Sequence, residues 1–141
     1  MAGHVCLWRY REHARNYPGF HLSADVAGCD ALLGLLDSMA RTRAARIGNI
    51  VLDPVTPSVL EVPNNRDATA SEFRHWELLI DPVFEPERLR FTVTNDRVRT
   101  ELSVIQVESL AAGIADMRQG RGDYSIGDED DQLWFWWRNH A

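Results

Sequence analysis

The sequence predicts an α+β fold in which two helices pack on a mainly antiparallel sheet of about six to eight strands. Three observations predict it: two apolar stripes at helical spacing, short apolar runs separated by turn residues, and one clear β-hairpin pattern. The middle strands follow one another through short turns, which favours antiparallel pairing. The chain of 141 residues is 45% hydrophobic and has no linker or internal repeat, so residues 1–141 are expected to form one domain.

Turn and capping residues mark the first strand and the first helix. The run Val5–Tyr10 precedes a Tyr-Pro-Gly turn signal and is predicted to be a strand. Ser23 is placed as the N-cap of a helix over Ala24–Arg43, because apolar residues recur there at helical spacing. The stripe consists of Val26, Cys29, Leu32, Leu33, Leu36, Met39 and Ala40.

Further strands are expected through the middle of the chain. Three short apolar-rich runs are predicted to be strands. Ile47–Leu52 is closed by Asp53-Pro54, Ser58–Val62 ends at Pro63, and Arg74–Ile80 places Trp76, Leu78 and Ile80 on one face. The segment Leu89–Leu102 then alternates apolar and polar residues on both sides of an Asn-Asp pair, which predicts a hairpin with a two-residue turn. That turn pairs Thr94 with Arg97, Thr92 with Arg99 and Arg90 with Glu101.

The last part of the chain is predicted to hold a helix and two strands. Ser103 and Gln106 form a capping-box pattern ahead of a helix over Val104–Arg118. Short strands are expected at Asp123–Ile126 and Leu133–Trp137. Alternation in the final strand places Leu133, Phe135 and Trp137 on one face, and Trp134 and Trp136 on the other. The expected core consists of Leu32, Leu36, Phe91, Val93, Leu110, Ile114 and Phe135.

Charge and cysteine content limit the partners and the compartment. The net charge of −6 disfavours a nucleic-acid partner, because that affinity comes largely from basic residues. No apolar stretch is long enough to span a membrane, so no membrane partner is expected. Cys6 and Cys29 are too few for a secreted disulfide framework, which predicts a cytoplasmic location.

The sequence lacks the spacings typical of catalytic and metal-binding motifs. Its five histidines form no HExxH pattern and its two cysteines no CxxC pattern, so no metal or cofactor is expected. There is no nucleophile elbow, and Cys29 lies within the apolar stripe of a helix, where a thiol is inert. These observations favour a non-enzymatic protein over an enzyme.

Two candidate sites stand out. The acidic segment Asp128, Glu129, Asp130 and Asp131 directly precedes the most aromatic run of the chain. Charge steering combined with an aromatic anchor is a known way to bind a protein, so this segment with Trp134 and Trp136 predicts a docking surface for a basic partner. The alternative is a ligand cleft lined by His75, Trp76, Glu77 and arginines, in which Glu77 could orient the imidazole of His75.

The order of features from Glu108 to Arg138 resembles that of small uncharacterised bacterial proteins, some of them associated with toxin–immunity gene pairs. The features are the second predicted helix, a G-x-G-D segment at Gly120–Asp123 and a terminal aromatic strand. The leading hypothesis is a non-enzymatic, immunity-like or adaptor-like protein-binding module of bacterial type. The alternatives are a small-molecule-binding protein or enzyme, and a homo-oligomer with the aromatic strand at its interface.

Overall fold

The computed structural model describes residues 3–10, 19–41, 46–56, 70–81, 89–121, 124–127 and 131–136. These residues form nine strands and two helices. In chain order the elements are β1 (Val5–Tyr10), β2 (Phe20–Ala24), α1 (Val26–Ala40), β3 (Arg46–Val51), β4 (Ala70–Glu72), β5 (His75–Ile80), β6 (Leu89–Thr94), β7 (Arg97–Leu102), α2 (Val104–Arg118), β8 (Tyr124–Ile126) and β9 (Leu133–Phe135).

The α+β class with two helices is confirmed, but the predicted mainly antiparallel sheet of six to eight strands is matched only in part. The described strands form two mixed sheets, a five-stranded sheet in the order β4-β1-β2-β9-β8 and a four-stranded sheet in the order β3-β5-β7-β6. Each sheet contains one parallel pair, β2 with β9 and β5 with β7. Parallel partners lie far apart in sequence, so local turn signals cannot reveal them.

Both sheets repeat one topology, although the sequence shows no repeat. A hairpin (β1–β2 or β6–β7) leads into a helix, and two corresponding strands follow (β3 and β5, or β8 and β9); β4, which lies between β3 and β5 and pairs with β1, has no counterpart among the described strands. In each half these two later strands pair antiparallel with each other and join the sheet built on the other half's hairpin. The two halves of the chain are therefore interleaved, and neither sheet is complete without both.

The start of the first helix differs from the prediction. Ser23 lies in β2 and is not a cap, because pairing with β1 extends this strand through Ala24, with Ser23 opposite Cys6. The N-cap is Asp25, whose carboxylate accepts a hydrogen bond from the Gly28 N–H at 2.7 Å. At the other end the helix stops at Ala40 and not at Arg43.

Other local predictions are confirmed. The strand Val5–Tyr10 and the helix Val104–Arg118 have the predicted bounds, and the Ser103 hydroxyl accepts from the Gln106 N–H at 3.3 Å. The hairpin has the predicted register, with Arg90 opposite Glu101 and their side chains 3.9 Å apart. The predicted strand Ser58–Val62 lies outside the described residues.

The main core joins both helices to one face of each sheet. The helices pack against each other and are linked by the Arg118 Nε to Asp30 Oδ1 ion pair at 2.6 Å. The predicted core is confirmed: Leu32, Leu36, Leu110, Ile114 and Phe135 are buried, and Phe91 and Val93 pack against them half-buried. The opposite face of each sheet, called its outer face below, points away from this core. The two outer faces are where the candidate site residues lie.

Candidate functional site

The acidic segment is only partly described. Asp128, Glu129 and Asp130 lie outside the described residues, whereas Asp131 is half-buried. The Asp131 Oδ1 accepts a hydrogen bond from the backbone N–H of Phe91 at 3.0 Å. Phe91 lies in β6, the edge strand of the four-stranded sheet. This hydrogen bond therefore connects the segment that precedes β9, a strand of the five-stranded sheet, to the four-stranded sheet. This carboxylate therefore has a structural partner within the chain.

The predicted alternation of the terminal strand is confirmed for the residues described. Leu133 and Phe135 are buried in the main core, while Trp134 and Trp136 lie on the outer face of the five-stranded sheet. Trp134 is half-buried, and Trp136 is buried. The structure therefore leaves Trp134 as the partly accessible indole of this pair, and Trp137 is outside the described residues.

Trp134 is one end of a group of stacked rings that we call the aromatic cluster: Trp8, Tyr10, His21, Trp134 and Trp136. Strand register places His21 directly opposite Trp8 on β1 and Trp134 on β9. The His21 ring lies nearly parallel to both indoles, with centroids 5.5 Å and 6.3 Å away, and Trp134 stacks on Trp136 at 5.6 Å. Tyr10 meets His21 edge-on at 4.7 Å. These geometries fix the rings relative to one another.

His21 is fully buried in the middle of this cluster. Its Nδ1 accepts a hydrogen bond from the indole Nε1–H of Trp136 at 2.8 Å. An indole nitrogen can only donate, so Nδ1 is unprotonated and the ring proton of the neutral imidazole lies on Nε2. A nitrogen engaged in this way and closed off from solvent is not placed to act as a base on a substrate.

Sequence reasoning missed His21 because it predicted no strand between Tyr10 and the helix cap that it placed at Ser23, whereas β2 spans Phe20–Ala24. A signal was present, since Phe20, Leu22 and Ala24 alternate with His21 and Ser23. Two further polar atoms of this face, Trp8 Nε1 and Ser23 Oγ, are buried without a hydrogen-bond partner in the part of the chain that the structure describes.

The residues of the alternative ligand site do not all share a face. His75 and Glu77 are half-buried on the outer face of the four-stranded sheet. Trp76 points the other way, is fully buried in the main core and donates from Nε1 to the Thr100 hydroxyl at 2.8 Å. The structure therefore places His75 and Glu77 on the same face of the sheet and Trp76 on the opposite face.

Glu77 is held by two arginines of the neighbouring strand β7. Its carboxylate oxygens lie 2.8 Å from Arg97 NH1 and 3.0 Å from Arg99 Nε. Hydrogen bonds from Arg97 and Arg99 lower the pKa of Glu77 below its usual value, so the carboxylate is ionised at neutral pH. The ion pairs of Glu77 with Arg97 and Arg99 neutralise much of the charge that these side chains would otherwise present to a ligand.

A depression of about 420 Å³ adjoins this network. The residues lining it belong to three neighbouring strands of one sheet face and are Glu77, Thr92, Thr94, Arg97, Arg99 and Glu101. It is thus a concavity of the sheet surface and not a cleft between elements, whereas small-molecule sites usually enclose most of the ligand.

The cysteines and the histidines outside the aromatic cluster show no catalytic arrangement in the described ranges. Burial, together with the nearby charges of Asp25 and Asp30, raises the pKa of the Cys29 thiol to about 11, which keeps it protonated and unreactive at neutral pH. No group of three or more His, Cys, Asp or Glu side chains among the described residues is arranged to hold a metal ion.

Comparison with protein-family models, curated proteins and solved structures finds no match to this chain. Neither α1 nor α2, the helices of the described residues, is long and apolar enough to cross a membrane.

Proposed function

We propose that this chain is a non-enzymatic protein-binding module of bacterial type, immunity-like or adaptor-like, that docks a basic protein partner. The docking surface consists of the acidic residues Asp128, Glu129 and Asp130 together with Trp134. The observation that carries the proposal is the position of Trp134, a half-buried indole stacked on a buried aromatic cluster just after the acidic segment.

Trp134 has the properties of an interface anchor. Tryptophan is enriched among the residues that contribute most to protein binding, because binding removes a large apolar ring surface from water. Stacking on Trp136 and His21 holds the ring in place before any partner arrives. Less side-chain entropy is then lost on binding, which favours affinity.

Charge supports the same choice of partner. The chain carries a net charge of −6, and its densest run of acidic residues directly precedes β9. Such charge accelerates the approach of a basic surface and contributes less to the lifetime of the complex. Asp131 is engaged by Phe91, which leaves the three preceding acidic residues as the ones to test.

The first experiment isolates the charge. The tagged chain captures its partner from a bacterial lysate, and association is then measured with both proteins purified. We expect the D128N/E129Q/D130N variant to bind more slowly than wild type, most clearly at low salt. The control D37N/E108Q/D116N removes the same charge from the two helices and should leave the rate near that of wild type.

The second experiment isolates the anchor. Replacing Trp134 by Ala should raise the dissociation rate and cost about 2 kcal/mol or more of binding free energy, as removal of a central aromatic does. Replacing the exposed Val104 by Ala is the control and should leave dissociation unchanged. If the charge variant and Trp134→Ala both bind as wild type does, this surface is not the docking site.

A further inference from the structure

The described strands leave four sheet edges, and three of them are short or capped. β4 and β8 are only three residues long each. On the β6 edge, the Asp131 carboxylate takes up the backbone N–H of Phe91. The fourth edge, β3, is six residues long and pairs, within the described part of the chain, only with β5. An edge strand presents backbone donors and acceptors that can pair with another chain.

The residues of β3 do not protect this edge. Proteins usually guard an edge with charges, proline or a bulge, but β3 carries one charged residue, Arg46 at its first position, and Ile47–Val51 contains neither a charge nor a proline. Ile47 and Val51 point to the outer face and are 50% and 66% exposed, with the exposed Asn49 between them. Among the described residues, this edge therefore combines a backbone that no other strand pairs with and exposed apolar side chains, up to Asp53, whose N–H donates to the Val5 carbonyl at 2.8 Å.

We infer that the β3 edge binds a second copy of this chain, through antiparallel pairing of the two β3 strands about Asn49. In this register Ile47 lies opposite Val51 of the partner subunit, and Val51 lies opposite the partner's Ile47. Asn49 lies opposite Asn49 of the partner subunit. Each exposed apolar side chain then covers the one that it faces.

The outer-face residues of β3 favour a second copy of the chain as the partner at this edge, because their order is complementary to itself in antiparallel pairing. An apolar–amide–apolar order on one face matches its own reverse, as a twofold interface requires. The Asn49 amide carries both donors and an acceptor, so two copies can hydrogen-bond to each other. Two molecules that each carry a charge of −6 would meet here along an uncharged segment, which limits their repulsion.

This dimer differs from one formed through the terminal aromatic strand. It joins two four-stranded sheets into one continuous sheet and leaves β9 and Trp134 outside the interface. The inference is therefore independent of the proposed docking function, and either one can fail without the other.

The first test measures the mass in solution by sedimentation of the full chain. We expect wild type to form a dimer of the 16.1 kDa chain, and I47K/V51K to be monomeric because it places lysines on the edge. The control V26K/V104K changes two helix residues of similar exposure, 50% and 57%, and should stay dimeric. Circular dichroism and thermal unfolding of both variants verify that the fold is retained.

The second test reads the register by cysteine cross-linking. Directly opposed residues of antiparallel strands have Cα atoms about 4.5–5.5 Å apart, within the span of a disulfide. Under oxidising conditions N49C should form a covalent dimer, and a mixture of I47C and V51C should form a mixed one. V51C alone should not cross-link, because its twin lies four residues away along the strand. Wild type, with Cys6 and Cys29 both buried, is the blank.

Three results would overturn the inference. Wild type could be a monomer at every concentration, which would leave the edge to another protein or to none. I47K/V51K could remain dimeric while folded, which would place the interface elsewhere, including at the aromatic strand. V51C could cross-link as readily as N49C, which would exclude the register centred on Asn49.

Discussion

Single residues in the aromatic cluster combine packing with one specific hydrogen bond. His21 lies between indoles, and its Nδ1 accepts from Trp136. Removing one partner of a buried hydrogen bond lowers the free energy of unfolding by more than an average hydrogen bond contributes, because the remaining polar group is left without a partner and out of water. The effects on stability of replacing His21 and of replacing Trp136 are thus expected to be strongly coupled.

Replacing Trp136 by Phe removes the indole donor, and replacing His21 by Phe removes its acceptor. Each single variant should lose about 1–3 kcal/mol of unfolding free energy through the unsatisfied polar group, in addition to any loss of packing. The double variant removes both groups and should lose less than the sum of the two. Urea unfolding of all three variants measures this coupling. Additive losses would show that the hydrogen bond contributes little.

Glu77 makes stability depend on pH. Its pKa is lowered by Arg97 and Arg99, so its contribution is present at neutral pH and is lost as the pH falls through that lowered value. Glu77→Gln should destabilise the protein by roughly 0.5–1 kcal/mol at pH 7, a size typical of exposed pairs. The difference from wild type should shrink as the pH falls below about 4.3, the ordinary value for glutamate.

Thermal unfolding of wild type and Glu77→Gln between pH 7 and pH 3 measures this effect. Glu108→Gln makes the same chemical change at an exposed position of α2 and should show little difference at any pH. A Glu77 effect that stays constant across this range would mean that the carboxylate does not act through its charge.

At the scale of elements, two helical glycines have opposite surroundings. Gly34 in α1 is exposed, and a Cβ there would meet nothing within 4 Å. Gly113 in α2 is buried, and a Cβ there would lie 2.3 Å from Cζ of Phe135. The absent side chain at Gly113 is thus what lets α2 approach β9 closely.

The two glycines form a matched pair for mutation. Gly34→Ala should stabilise the protein by roughly 0.5–1 kcal/mol, because alanine is the better helix former. Gly113→Ala should destabilise it, because the ring of Phe135 must move in a packed core, which typically costs about 1–3 kcal/mol. Thermal unfolding distinguishes the two. Stabilisation by both would show that α2 and β9 can separate at no cost.

At the scale of the whole molecule, the helices occupy equivalent places in the two interleaved halves. Each is 15 residues long and follows the second strand of a hairpin. Their buried apolar positions also correspond one to one, as Cys29 and Val107, Leu32 and Leu110, Leu36 and Ile114, and Met39 and Met117. Since each half supplies strands to both sheets, the halves should depend on each other for folding.

Splitting the chain tests this dependence. We expect fragments 1–81 and 89–141 each to be unfolded alone, because each would expose the strand edges and core faces that the other covers. Mixed or co-expressed, they should assemble and recover the circular dichroism spectrum of the intact chain. A fragment that unfolds cooperatively on its own would show that the halves are separable units.

The accuracy of the sequence predictions follows the range of the interactions. The hairpin register and the bounds of α2 depend on neighbours within a few residues, and both are confirmed. β2 was missed although one of its partners is the nearby strand β1, and its other partner, β9, lies more than a hundred residues later. Among the candidate site residues, alternation separated Trp134 from Phe135, but nothing local indicated that His21 would meet Trp136.

The sequence by itself determined the α+β class, most of each apolar helix stripe and the face on which most strand residues lie, because periodicity and turn chemistry act over short distances. The first stripe was predicted too long, since Val26 and Ala40 at its two ends are exposed. Only the tertiary structure decided that there are two sheets, which strands exchange between the halves and which indole stays partly accessible. Those outcomes depend on contacts between residues distant in the chain. A strand's own sequence specifies which side it buries, whereas the partner that it pairs with is selected by competition among all the strands.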